Sequence, residues 1–216
     1  RLQGDWSSDV CSSDLSDQTE IYCLLCPNRE AALASPYYEV FAAKKYEVLF
    51  LSDPWDEFVM DHLASFEGKS IKLAEKADLA VDKTSEEGLT EEAAAGLAKW
   101  LKETLGDRVG EVRVSNRLVE SPALILDADK MMTASMRRIM KAMKREAGAE
   151  AKHDLEINRA HPILARLEKM RSTDADLAVK VAEQILDNAR VAAGLLEDPR
   201  SMVKRLNELL QRVLDK

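Results

Sequence analysis

Cys23-Leu24-Leu25-Cys26 has the C-x-x-C spacing used by dithiol redox sites and by half of a zinc site. Redox use needs the first thiol at a helix N-terminus, where the dipole lowers its pKa. Cys23 falls instead within the apolar run Glu20–Leu25, which reads as a buried strand. Its side chain is then a small buried apolar group. Zinc would need two further ligands, and His62, His153 and His161 are widely spaced. No catalytic partner pattern surrounds these histidines. The sequence also has no serine nucleophile motif and no glycine-rich phosphate loop. Asp53, Asp56 and Glu57 read as helix N-terminal acids offsetting the dipole. The chain is therefore expected to carry no catalytic, cofactor-binding or metal site and not to be an enzyme. A thiol oxidoreductase using Cys23 and Cys26 is the enzymatic alternative.

The densest chemical signal is Met131–Met143, which holds five of the eight methionines. Met132, Met136, Ile139, Met140 and Met143 repeat at helical spacing. Arg137, Arg138, Lys141, Lys144 and Arg145 occupy other positions. A methionine face is flexible and polarizable and can repack against many apolar partners. A basic amphipathic helix can also contact membranes or acidic partners. An ordinary core-facing helix satisfies the same pattern.

Elements must position these residues. The chain has 216 residues, 46% of them hydrophobic, enough to bury a core in one or two domains. Aromatics are 5% and charged residues 32%, a mix that suits a helix-rich fold over a β-sandwich. The net charge of −8 argues against nucleic acid as the main partner. No stretch approaches the roughly 20 apolar residues that span a bilayer, so no membrane contact is expected. Three cysteines make no disulfide framework, which points to a reducing cytoplasm. Gly4 to Leu15 resembles a translated sequencing adapter, so residues 1–15 read as an artefactual or disordered tail and are set aside.

Beyond that tail, strands are expected at Glu20–Leu25, Tyr46–Leu51 and Ser70–Leu73, with a helix at Asn28–Ala34. Ser35-Pro36 and Asp53-Pro54 each offer a cap and an N1 proline, for a helix through Lys45 and for one carrying Phe58, Val59 and Leu63 that Gly68 stops. This alternation predicts a small α/β layer with parallel strands. Residues 81–89 read as a linker. Thr90 caps a helix ending at Gly106. Val109–Val114, Ala123–Leu126 and Leu155–Asn158 read as strands of a mixed sheet, and Met131–Ala147 and Pro162–Met170 as helices. Asp174–Leu196 is one long helix with Leu177, Val181, Ile185, Ala189, Ala192 and Leu196 at spacings of three and four. After Asp198-Pro199 a last helix aligns Val203, Leu206, Leu210 and Val213. A loop of two or three residues would make these two a hairpin. Each stripe needs a partner: a second copy, closing a four-helix bundle about a twofold axis, or the chain's own domain.

Ordered segments along residues 17–214 resemble the bacterial-type 90-kilodalton heat-shock chaperones. They are Gln18-Thr19-Glu20-Ile21-Tyr22, Ala34-Ser35-Pro36-Tyr37-Tyr38-Glu39, and Tyr46 through Phe58 (the most specific stretch). Arg117-Leu118-Val119-Glu120-Ser121-Pro122-Ala123, Leu155-Glu156-Ile157-Asn158, His161-Pro162 and Leu195-Leu196-Glu197-Asp198-Pro199 follow. Cys26 stands where that family usually has glycine, and Trp55 where it is more often aliphatic. The Met-Glu-Glu-Val-Asp tail that docks helical-repeat cochaperones is missing, so such partners are not expected.

The resemblance implies an α/β/α subdomain over residues 16–80, the end of a middle domain. A mixed α/β C-terminal dimerisation domain over residues 90–216 would follow, ending in the hairpin of an interchain four-helix bundle. Val181, Ile185, Ala189, Ala192, Leu196, Val203, Leu206, Leu210 and Val213 would line the homodimer interface. The methionine face, with Phe58 and Met60 on the middle-domain side of the cleft, would contact unfolded or partly folded clients. ATP and Mg would belong to an N-terminal domain of the parent and not to this fragment, and a 70-kilodalton chaperone would meet the parent. Dimerisation would keep two ATPase heads at high effective concentration. The alternative is a purely structural dimerisation module without client contacts.

Overall fold

The computed structural model describes residues 18–53, 55–81, 88–127, 153–196 and 198–215. The adapter-like segment and the expected helix Met131–Ala147, with Met132, Met136, Ile139, Met140 and Met143, lie outside these residues. The described chain is mixed α and β, with two sheets and helices around them.

The first sheet contains β1 (Ile21–Leu25), β2 (Val48–Leu51), β3 (Ser65–Phe66) and β4 (Lys69–Leu73) in the order β2-β1-β4-β3. β1 pairs in parallel with β2 and β4, as the alternation of strand and helix predicts. β3 was not expected. Gly68 does not stop a helix; it shares with Glu67 the positive φ values of 81° and 47° that turn β3 back onto β4. α1 (Arg29–Leu33) is capped by the Asn28 side chain, which accepts from Ala31 N–H. α2 (Glu39–Lys44) begins later than Ser35-Pro36 suggests. The Ser35 hydroxyl accepts from Tyr37 N–H and its carbonyl from Tyr38 N–H, so this cap-and-proline pair builds a turn first. α3 (Asp56–Leu63) follows β2. Tyr22, stacked on Tyr46 and tilted against Phe41, fills the layer's core.

The second sheet contains β5 (Val112–Val114), β6 (Ala123–Asp127) and β7 (His153–Ile157) in the order β5-β7-β6. β7 is parallel to β5 and antiparallel to β6, the expected mixed sheet. α4 (Glu91–Leu105) runs from its Thr90 cap to Gly106 as the sequence indicates. α5 (Pro162–Thr173) has Pro162 in its first turn and His161 as cap, with Nδ1 accepting from Ile163 N–H. α6 (Ala175–Ala192) is capped by Asp174 and packs on β6, α4 and α5. α7 (Arg200–Leu214) ends the described chain.

Two boundaries differ from the sequence reading. α6 stops at Ala192, short of Leu196, because Gly194 takes a φ of 67° that closes a helix end. The connection to α7 therefore runs from Ala193 to Pro199, longer than two or three residues. The cap of α7 is Pro199, with Asp198 accepting from Arg200 N–H ahead of it. In the stretch read as a linker, Val81 N–H donates to Asn116 O and Leu89 N–H to Arg159 O.

Candidate functional site

The thiols are not poised for chemistry. Cys23 is fully buried in β1, and burial pushes its thiol up to about 11. Cys26 is also buried and shifted upward, and its thiol faces the Leu24 carbonyl at 3.6 Å. A redox thiol needs the opposite shift. Among the described residues, no group of three or more His, Cys, Asp or Glu could hold a metal ion. No helix among them is long and apolar enough to cross a membrane.

The terminal helices hold a more telling arrangement. α7 has no buried residue. It runs antiparallel to α6 and meets it through ion pairs, with Met202 and Leu209 half-buried beside them. Arg205 Nε donates to Glu183 at 2.9 Å and its Nη1 to Asp187 at 2.7 Å. Lys180 meets Glu208 at 2.6 Å, and Arg212 meets Asp174 at 2.8 Å. Arg108, just after α4, completes a square by reaching Glu183 at 3.0 Å and Asp187 at 2.9 Å. The Asp187 side chain is 3% exposed and needs both guanidinium partners to offset its desolvation. Lys180 also holds the Glu208 carboxyl below its ordinary range.

The opposite side of α7 is apolar and uncovered. Val203, Leu206, Leu210, Val213 and Leu214 are 39–83% exposed. Single exposed apolar residues mean little, but a continuous helical stripe marks an interaction surface. An amphipathic helix ordinarily turns its apolar stripe inward; α7 keeps Met202 and Leu209 half-buried beside Arg205 and Glu208 and leaves this second apolar stripe outside.

The residues expected along α6 divide between two faces. Ile185 and Ala189 are buried in the chain's own core beside Ala178, Ala182 and Leu186. Val181 is half-buried, Ala192 is exposed, and Leu196 lies past the helix end, half-buried. At 100° per residue, Leu177, Val181, Gln184, Asn188 and Ala192 form a neighbouring line beside the face that α7 covers. The helices are antiparallel, and both stripes turn away from the contact line in the same rotational sense along their own axes. This line and the outward stripe of α7 therefore lie on one side of the pair.

Phe58 and Met60 sit in α3, with Met60 half-buried. Their neighbours Trp55, Val59 and Leu63 are 59%, 56% and 47% exposed and share one face of that helix. The charged square was not foreseen. Glu183 and Asp187, acids four residues apart on one helix face, were the available signal, since like charges so placed repel unless a cation lies between them.

The family model described as "Hsp90 protein" matches residues 9–216. A "Chaperone protein HtpG" of Desulfotalea psychrophila is 41% identical over 211 residues, which cover 93% of this chain and 34% of that protein. The "Chaperone protein HtpG" of Desulfitobacterium hafniense is 41% identical over 202 residues, 91% of this chain and 33% of that protein. The bovine "Heat shock protein 75 kDa, mitochondrial" is 35% identical over 221 residues, 97% of this chain and 31% of that protein. The chain thus spans about a third of the length of the curated relatives it matches.

Proposed function

The chain belongs to the Hsp90 family, and we propose that it is the self-associating base of a chaperone, pairing two copies through α6 and α7 and offering apolar surface to incompletely folded proteins. The observation that carries this reading is the orientation of α7, fastened to α6 by ion pairs with its apolar stripe turned outward. A second copy is the occupant that fits. The stripes of α6 and α7 on one side of the pair form a two-helix layer, and a twofold axis brings such a layer onto itself as a four-helix bundle. Permanent pairing raises the effective concentration of whatever each chain carries elsewhere, including the ATP- and Mg-dependent domain expected in the parent.

Client contact is assigned to the methionine segment with Phe58 and Met60. Along α3 the exposed apolar residues are Trp55, Val59 and Leu63, which add apolar surface beside those two positions. Such contact is weak and adaptable, shielding apolar patches of the client. A cytoplasmic setting agrees with the free thiols Cys23 and Cys26.

Sedimentation equilibrium on the chain and on Leu206→Asp tests the pairing. A dimer that becomes a monomer with an unchanged circular dichroism spectrum is the expected result. A monomer in both cases at micromolar concentration sinks the reading. For the client surface, binding of a destabilised model protein is expected to fall in Met136→Asp and Met140→Asp while the dimer persists. Undiminished binding would leave only a dimerisation module.

A further inference from the structure

We propose that the free edge of β5 takes an added strand: an extended, uncharged segment of another protein, apolar at alternate positions, laid in the groove between β5 and α4. β5 lies at one edge of the second sheet. Its ladder to β7 shows which way its backbone points. Glu111 O accepts from Leu155 N–H, and Ser115 N–H donates to Ile157 O, both at 2.8 Å. Val112 is opposite Leu155 and Val114 opposite Ile157, so residues 111, 113 and 115 bond inward to β7. Val112 and Val114 therefore turn their N–H and C=O groups to the free edge, and among the described residues nothing bonds to them. A row of unmet backbone groups is a template for one more strand.

The groove beside that edge says what kind of strand it is. Its volume is about 620 Å³. One wall is residues 110–114, a strand edge of roughly 15 Å. The other is Ala95, Ala98, Lys99, Lys102 and Glu103, at helical spacing along α4. Ala95 and Ala98 are small, and Val112 and Val114 are half-buried, so large apolar side chains of an added strand find seats there. The charges around the groove are already matched. Lys102 Nζ donates to the carbonyls of Gly106 and Val109 at 3.0 and 2.8 Å, and Arg113 pairs with Asp154 and Glu111. Lys99 and Glu103, both exposed, offset each other, so a charged strand gains nothing. A second copy fits less well: β5 has three residues with Glu111 and Arg113 among its charges, and short, charged edges are how sheets avoid pairing with each other. The described lining includes no residue of α6 or α7, so this surface goes beyond the pairing of two copies.

Fluorescence anisotropy with a labelled peptide, Ser-Leu-Thr-Leu-Ser-Leu-Thr, tests the site. Saturable binding to the whole chain is expected, equally in Leu206→Asp. Val112→Pro removes an outward N–H and no bond to β7, a change that edge strands tolerate. It raises the dissociation constant about tenfold. Ala95→Trp, at an exposed position of α4, fills the groove and also raises it, with the circular dichroism spectrum unchanged. The leucines of an extended peptide share one face and turn their N–H groups to one edge. Methylating either the leucine amides or the intervening ones should therefore abolish binding in one peptide and spare it in the other. No saturable binding, binding unchanged in both variants, or equal loss with both methylated peptides overturns the proposal. So does a Val112→Pro chain that associates less than the native chain with no peptide present, because a second copy would then occupy the edge.

Discussion

Cys23 shows how one buried residue ties stability to pH. With its thiol pushed up to about 11 from an ordinary 9.0, the folded chain holds a proton that the unfolded chain releases earlier. A raised pKa leaves the stability contribution complete below pH 9 and erodes it as pH climbs from 9 towards 11. The loss across that window is roughly 2–3 kcal/mol. Chemical denaturation of the native chain and of Cys23→Ala, compared at pH 8 and pH 11, is expected to show it. The native chain should lose more stability than the variant by about that amount. Tyr22, likewise shifted upward by burial, titrates in both and cancels. The same shift leaves Cys23 with about one thiolate in ten thousand at pH 7. Native-state alkylation should therefore be no faster than unfolding, and prompt labelling of Cys23 would revive the oxidoreductase alternative.

At the scale of elements, Thr90 and Pro162 marked helix starts correctly, whereas the cap-and-proline pairs at Ser35, Asp53 and Asp198 lay ahead of the helices they were read to cap. Asn28, Thr90 and His161-Pro162 start their helices where expected, since a cap and the backbone N–H it satisfies are within three residues of each other. Gly68 was misread, and Gly194 inside the expected helix Asp174–Leu196 drew no reading, because glycine permits positive φ without saying whether a turn or a helix end uses it. The stripe on α6 was read as one face, but spacings of three and four also connect two adjacent faces. Only the packing of Ile185 and Ala189 inward separates them from Leu177 and Val181. The outward stripe of α7 was legible from periodicity. Its fastening was not, because Arg108 lies 75 and 79 positions from the acids it binds. That fastening gives α7 a distinctive fragility. In the Leu206→Asp background, Arg205→Ala leaves Asp187 with Arg108 alone and should cost about 2 kcal/mol. Hydrogen exchange is expected to speed up through α7 while α6, anchored in the core, stays protected. Molar salt should move α7 in the same direction by screening its exposed pairs. Equal acceleration of both helices would mean that apolar packing, not charge, holds α7 down.

Across the whole molecule, the two sheets share one continuous apolar cluster, reaching from Tyr22 and Phe41 to Leu124, Leu155 and Leu186. Polar contacts reinforce the joint. Glu39, at the start of α2, accepts from the backbone N–H groups of Val119 and Glu120 at 2.7 and 2.9 Å, and from that of Ser121 at 2.9 Å. Arg117 donates back to the carbonyls of Glu75 and Ala77 at 3.1 and 2.8 Å, and the Tyr37 hydroxyl reaches the Ile125 carbonyl. One carboxylate thus gathers three donors from a single loop of the other half, and one guanidinium returns the grip. Hydrogen bonds to charged groups are strong individually, but these contacts are partly exposed and water can replace some of them. A net loss of about 1–3 kcal/mol on cutting the Glu39 contacts follows. Joints of this kind decide whether two halves unfold together. Calorimetry of the chain at one fixed concentration is expected to give a single transition. Glu39→Ala with Arg117→Ala should split it, the half containing β1–β4 melting first because its exposed α3 and short strands bury less surface. Glu39→Gln, which keeps one acceptor oxygen, should fall between. A single transition that moves down without splitting would instead show that the shared apolar cluster alone couples the two halves. The same result would mean that movement of one half is carried to the other by packing and not by the Glu39 clasp.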